Sequence, residues 1–287
     1  MRTEAAYEAC REVARTEARN FYFGFVLLPP DRRAAIYAAY AFSRRADDSV
    51  DGTESLDAKL AAVAARRAEL DACYRGTPDP SDLVLVALAD TVRRYGIPRR
   101  HLDALLDGVE MDLTMRRYAS WDELEPYCDR VAGAVGIVSL YIFGFGDDAA
   151  PAHARDLGVG MQIINIMRDV REDAERDRIY LPADEMAAHG VSEEQLLAGE
   201  TSEGFRALMA QQAERAHHYV ERGERLLPLL DRRARMCVAM LSGLYREILA
   251  DIEAAGFDVV LDRRVSLSTR RKLGLMAQRS AGALSPA

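Results

Sequence analysis

The sequence predicts an all-α protein. Alanine, leucine, arginine and glutamate, all good helix formers, dominate its 287 residues. No run alternates apolar and polar residues as a half-buried strand would. Glycine and proline fall mainly where a helical apolar pattern stops.

Residues 4–18 carry a first helix. The apolar stretch 21–28 reads as a connector closed by Pro29-Pro30. A helix starts at Asp31, places Ile36, Tyr37, Tyr40 and Ala41 on one face, and stops near Gly52. Ser55 caps the next, which reaches about residue 74. Turn residues make 76–82 a loop. Helices follow over 82–94 and 98–115, split by Gly96-Ile97-Pro98. Ser120 and Glu123 have the spacing of a capping box, and a long apolar helix runs on to about 143. Gly133 and Gly136 lie inside that helix, where a glycine costs about 1 kcal/mol against alanine. A kink or a close ligand explains them, and so does close helix packing. One helix is expected over 152–175, short ones at 183–189 and 193–199, and long ones over 202–226 and 228–255. A last helix covers 268–280, before a frayed tail. No repeat, low-complexity tract or linker divides the chain, so residues 1–287 are expected to form one helical domain.

The 49% hydrophobic content suits a sizeable core and excludes a disordered chain. A net charge of −8 argues against nucleic-acid binding. It leaves anionic ligands open, because bound metal ions invert the local field. Cys10, Cys73, Cys128 and Cys237 form no CxxC pair, and no histidine cluster has zinc-ligand spacing. Free thiols in a reducing cytoplasm are expected. Arg2, Glu4, Glu8, Arg11 and Glu12 do not resemble a signal peptide. The uncharged run 132–146 is shorter than the roughly 20 residues of a spanning helix. The expectation is a cytoplasmic protein that visits the inner face of the cell membrane to collect or release a lipid.

Two acidic sets carry the chemistry. Asp169, Asp173 and Asp177 are four residues apart after an apolar helical run, and Asp47 and Asp51 repeat the spacing upstream. Within a helix this spacing stacks carboxylates on one face. Two carboxylates roughly 6 Å apart repel by about 3 kcal/mol at an effective dielectric near 20. A cation relieves that strain, and magnesium prefers hard oxygens shared with phosphates. Asn165, one turn before Asp169, can add an amide oxygen. Arg44, Arg168 and Arg178 flank the two sets, and arginine suits bidentate contact with phosphate. The pattern points to several magnesium ions holding a diphosphate.

These residues bring the chain to a family resemblance. It resembles the squalene/phytoene synthases, the head-to-head prenyltransferases. The matching pieces are Asp47-Asp48-Ser49-Val50-Asp51, Asn165-Ile166-Met167-Arg168-Asp169 with Glu172-Asp173, and Asp177-Arg178-Ile179-Tyr180-Leu181-Pro182. Asn20-Phe21-Tyr22-Phe23, Tyr127-Cys128-Asp129-Arg130 with Val135-Gly136, Tyr245-Arg246-Glu247 and Asp262-Arg263-Arg264 complete the ordered set, from about residue 18 to 273. Ile163-Ile164 stands where many relatives read Leu-Thr, and Asn20 where Ser is common. Both departures are mild.

The resemblance implies a helical bundle of isoprenoid-synthase type around a deep central cavity. It implies that Asp47, Asp51, Asn165, Asp169 and Asp173 hold magnesium. Arg44, Gln162, Arg168, Asp177, Arg178 and Tyr180 would contact or order two diphosphates. Phe21, Tyr40, Val135, Gly136 and Tyr245 would line the hydrocarbon cavity, with Tyr127 and Arg264 as weaker transfers. The implied reaction is magnesium-dependent condensation of two prenyl diphosphates. The entry segment 20–23 and the stretch 142–145 resemble presqualene diphosphate synthases of hopanoid pathways. The expectation is therefore farnesyl diphosphate giving presqualene diphosphate, with onward conversion to squalene as its extension. Geranylgeranyl diphosphate giving phytoene, for carotenoids, is the alternative. A head-to-tail synthase, a terpene cyclase and a non-catalytic lipid-binding accessory subunit are the competing classes. No glycine-rich dinucleotide fingerprint is present. That disfavours NADPH without excluding it, since family members that use NADPH lack the fingerprint too. Downstream pathway enzymes are the expected protein partners.

Overall fold

The computed structural model describes residues 2–52, 54–258, 261, 265–268, 270, 271, 274 and 275, with the backbone alone for 19 and 20. Asp262, Arg263, Arg264 and most of the helix expected over 268–280 lie outside the described residues. Among the described residues the chain is helical, without a strand. An isolated parallel bridge joins Arg117 to Ile179. No helix among them is long and apolar enough to cross a membrane.

The chain opens with α1 (Arg2–Glu17), α2 (Arg19–Phe25) and α3 (Pro30–Asp48). The expected connector over 21–28 is therefore mostly helix. Phe21 and Phe25 are one turn apart and both face the central cavity, so tertiary packing stabilises a segment too short to stand alone. Ser55 caps α4 (Leu56–Arg75) by accepting from the Ala58 N–H at 3.3 Å. Asp82 caps α5 (Leu83–Tyr95), and α6 (Arg99–Thr114) follows Pro98.

The long apolar helix expected after Ser120 is three pieces. These are α7 (Trp121–Cys128), a π-helical turn (Asp129–Gly133) and α8 (Ala134–Phe143). The capping box does not form. The Ser120 side chain makes no cap bond, and Glu123 accepts from the Ala119 N–H at 2.8 Å instead. The glycines mark close packing. A Cβ on Gly136 would lie 2.4 Å from the Ala154 carbonyl oxygen, and one on Gly158 2.4 Å from that of Ala132. The backbones of α8 and the next helix touch there.

The helix expected over 152–175 is also divided, into α9 (Ala150–Arg168) and α10 (Val170–Glu175). The break is Asp169, at φ −106° and ψ 13°. Short α11 (Ala183–Ala188) and α12 (Glu193–Ala198) come next, then α13 (Glu203–Glu224). Helix α14 (Arg232–Ala254) starts at the Asp231 cap rather than at Pro228, because a 3₁₀ turn occupies Leu227–Leu229.

Helices α3, α6 and α9 place their C-terminal turns around one chamber. Those turns carry Asp47, Asp112 and Asn165. The C-terminal end of a helix dipole is negative and favours cations. Carboxylates at such ends deepen that preference.

Candidate active site

A polar chamber of about 270 Å³ opens onto an apolar cavity of about 300 Å³. Asp47, Gln162 and Asn165 line both. Ile36, His101 and Ala154 lie eleven residues before Asp47, Asp112 and Asn165 on their helices, so the walls descend about 16 Å below the chamber.

Helix α3 and the turn after it bring Arg44, Asp47 and Asp51 to the chamber. The end of α9 and α10 bring Arg168, Asp169 and Asp173, and the following segment brings Arg178 and Tyr180. The two acidic sets thus face one space. Arg178 Nη1 lies 3.9 Å from Asp51 Oδ1, joining one side to the other. Arg168 is buried and holds Asp169 through both carboxylate oxygens, at 2.8 and 2.5 Å. Arg44 pairs with Asp48 at 2.6 Å on the outer side.

Asp47 is open to the chamber yet walled in by protein. That enclosure pushes its carboxyl up to about 7 against the pull of Arg44, with Asp112, Asp51 and Asp48 adding to the rise. Asp173 is half-buried and is likewise pushed up to about 7, by desolvation and then by Asp169. Burial raises Asp112 as well. Each shift means that this site, as it stands, holds its negative charge poorly.

The chemistry of the donor set fits a hard cation. Asn165 donates through Nδ2 to Gln162 at 3.1 Å, but its Oδ1 is shut off from water and accepts no hydrogen bond. A buried acceptor left unsatisfied costs about 1–3 kcal/mol. Among the described residues no three acidic, histidine or cysteine side chains converge tightly enough to hold an ion alone. An ion here takes ligands from water and phosphate too, which is magnesium's habit.

The cavity below is walled by aromatic rings. Phe21 lies 6.0 Å from Tyr245, 6.5 Å from Tyr40 and 6.1 Å from Phe25, between ring centroids. Val135 and Gly136 of α8 line the same cavity. Burial raises the Tyr245 hydroxyl, although Arg168 pulls it down.

Of the described residues given a site role from the sequence, Asp177 alone lines neither space. Counting by fours from Asp169 assumes an unbroken helix, but α10 ends before it and Asp177 turns left-handed at φ 59°. Its side chain is exposed and pairs with Arg116 and Arg117 at 2.6 and 3.0 Å. Conversely, Asp112 and Arg176 line the chamber and escaped the spacing pattern. Asp112 accepts from the Tyr180 hydroxyl at 2.8 Å and lies 3.3 Å from that of Tyr127. It has no acidic neighbour at helical spacing that also faces inward, so no sequence signal marked it.

Residues 14–271 match the squalene/phytoene synthase family. The chain is 42% identical to the phytoene synthase of Mycobacterium tuberculosis over 277 residues, 96% of this chain and 90% of that one. It is 38% identical to the 15-cis-phytoene synthase of Synechococcus elongatus, over 93% of this chain and 90% of the other. Among solved structures, a dehydrosqualene synthase in complex with ligand superposes with a TM-score of 0.89 at 28% identity, covering 98% of this chain and 97% of that one. Squalene synthase HpnC from Alicyclobacillus acidocaldarius gives 0.83 at 27% identity, covering 89% and 95%. With an all-α bundle, two acidic helix ends at one chamber and this extent of similarity, the chain belongs to the squalene/phytoene synthase family, the head-to-head prenyltransferases.

Proposed function

We propose that this protein joins two geranylgeranyl diphosphates into phytoene. The observation that carries the reading is the stacking of a charged chamber on an oily cavity, with Asp47, Gln162 and Asn165 common to both. That arrangement suits a ligand with a diphosphate head and a prenyl tail. The 42% and 38% identities to phytoene synthases favour the longer substrate over the farnesyl diphosphate expected from the entry segment.

In this reading Arg44, Arg168 and Arg178 take the diphosphate oxygens. Asp47, Asp51, Asp169, Asp173 and the free Oδ1 of Asn165 hold the magnesium ions. Magnesium held by these residues would supply electrostatic stabilisation of the charge that develops on the departing diphosphate. Tyr180 orders the same end of the chamber. The allylic C–O bond ionises, the double bond of the second substrate attacks the cation, and a proton is lost to give a cyclopropylcarbinyl diphosphate. A second ionisation releases the remaining diphosphate, the cation rearranges, and loss of a second proton gives the linear hydrocarbon without a reductant. Phe21, Tyr40 and Tyr245 line the cavity, where aromatic rings would steady the cations and exclude water. A brief encounter with a membrane surface belongs to the proposal, because substrate tails and product are lipids.

A second reading, farnesyl diphosphate to presqualene diphosphate or squalene, draws on the TM-score of 0.89 to a dehydrosqualene synthase. Purified protein given each diphosphate separately with magnesium, with and without NADPH, distinguishes them by product mass. Phytoene from the twenty-carbon substrate alone supports the proposal. Turnover of farnesyl diphosphate alone overturns it.

A further inference from the structure

Asp112 stands on the last turn of α6, facing the segment that carries Arg178 and Tyr180. Backbone bonds lace that segment to the chain leaving α6. Ile179 donates to the Arg116 carbonyl at 2.9 Å, Ala183 to that of Tyr118 at 2.9 Å, and Asp184 to that of Ala119 at 3.1 Å. These bonds fix where the segment runs. They do not fix where its side chains point.

The side chains are fixed one turn earlier. Asp112 Oδ1 accepts from the Tyr180 hydroxyl at 2.8 Å, and Oδ2 lies 3.3 Å from that of Tyr127. The two rings stack at 5.1 Å, and Tyr118 packs on both at 5.7 and 5.9 Å. Arg178 is the cation whose charge acts on Asp112, and on its other side it reaches Asp51 at 3.9 Å. We propose that Asp112 is a positioning residue for the transferase reaction. It anchors the Tyr180 and Tyr127 hydroxyls and, through its charge, keeps Arg178 turned across the chamber toward Asp51. Without it, the Tyr180 hydroxyl loses its acceptor in a walled-in site, the Tyr127 hydroxyl keeps only the Tyr180 oxygen at 3.2 Å, and Arg178 loses one of the carboxylates that attract it. The inference rests on the diphosphate reading above.

Asp112→Asn keeps the shape and removes the charge. Calorimetric titration of the full chain with inorganic diphosphate plus magnesium is expected to show binding about tenfold weaker or worse than in the parent. With prenyl diphosphate the KM is expected to rise along with the magnesium concentration needed for half-activity, at unchanged circular dichroism. Combined with Tyr180→Phe, the losses are expected to be less than multiplicative, because both changes break one linkage. Should Asp112→Asn not fold, the Tyr127→Phe, Tyr180→Phe double variant removes both donors, and the same weakening is expected. Parent-like diphosphate binding in the folded variants, or fully multiplicative losses, would overturn the positioning role. A parent protein that neither binds diphosphate nor turns over prenyl substrate overturns the diphosphate reading itself.

Discussion

Arg178 and Asp51 meet across the chamber at 3.9 Å, and so link the segment after α10 to the turn after α3. The pair brings together two stretches of chain more than a hundred residues apart. In the proposed reading, it also places a guanidinium where a diphosphate between the acidic sets would lie. Arg178 is half-buried, beside Asp112, Tyr180 and Tyr127.

Arg178→Ala is expected to lower kcat about a hundredfold, the usual scale for removing one fixed donor to a developing anion. Steady-state kinetics at saturating magnesium test this, with circular dichroism to show that the fold persists. A loss below threefold would contradict the role.

The raised carboxyls set a pH dependence. Asp47 and Asp173 titrate near 7 in the folded chain, against 3.8 for an unperturbed aspartate. Between those values the folded state binds protons that the unfolded state has released, so stability falls as pH rises from about 4 through 7. Thermal melts without metal are expected to show that fall. Magnesium with diphosphate is expected to raise the midpoint most at the alkaline end, where both carboxylates are charged. Melts whose slope with pH is unchanged in the Asp47→Asn, Asp173→Asn double variant would contradict the assignment.

Asp173 and Asp177 are expected to part company. Asp173→Asn is expected to lose at least about a hundredfold in turnover. Asp177→Asn breaks only exposed ion pairs, each worth about 0–1 kcal/mol, and is expected to stay within about fivefold of the parent. Equal losses would restore Asp177 to the site.

Gly136 allows α8 to approach α9. Gly136→Ala puts a methyl 2.4 Å from a carbonyl oxygen, so one backbone must move. A destabilisation of about 1–3 kcal/mol is expected by chemical denaturation, with reduced turnover because the cavity wall shifts. Parent-like stability would mean that the helices separate freely.

Much of this architecture was legible in sequence. Helices long enough to repeat an apolar face, such as α3, α6 and α13, showed themselves through periodicity. The breaks did not. The π-helical turn at Asp129–Gly133 and the stop at Asp169 interrupt stretches whose local preference is helical, and their neighbours in space decide them. Seven-residue α2 was hidden for the same reason. Asp47, Asp51, Asp169 and Asp173 were found because paired carboxylates at helical spacing are an uncommon expense in a helix. Asp112 is single, and its partners Tyr127 and Tyr180 are 15 and 68 residues away, so only the fold reveals it.

The central claim is that two distant acidic sets share one bound metal–diphosphate cluster. Manganese in place of magnesium, titrated with inorganic diphosphate and followed by electron paramagnetic resonance, reads it directly. The parent is expected to bind manganese in a diphosphate-dependent way, and Asp47→Ala and Asp169→Ala, on opposite sides of the chamber, are each expected to lose most of that signal. Full diphosphate-dependent binding in either variant would show that the two sides do not act on one ligand.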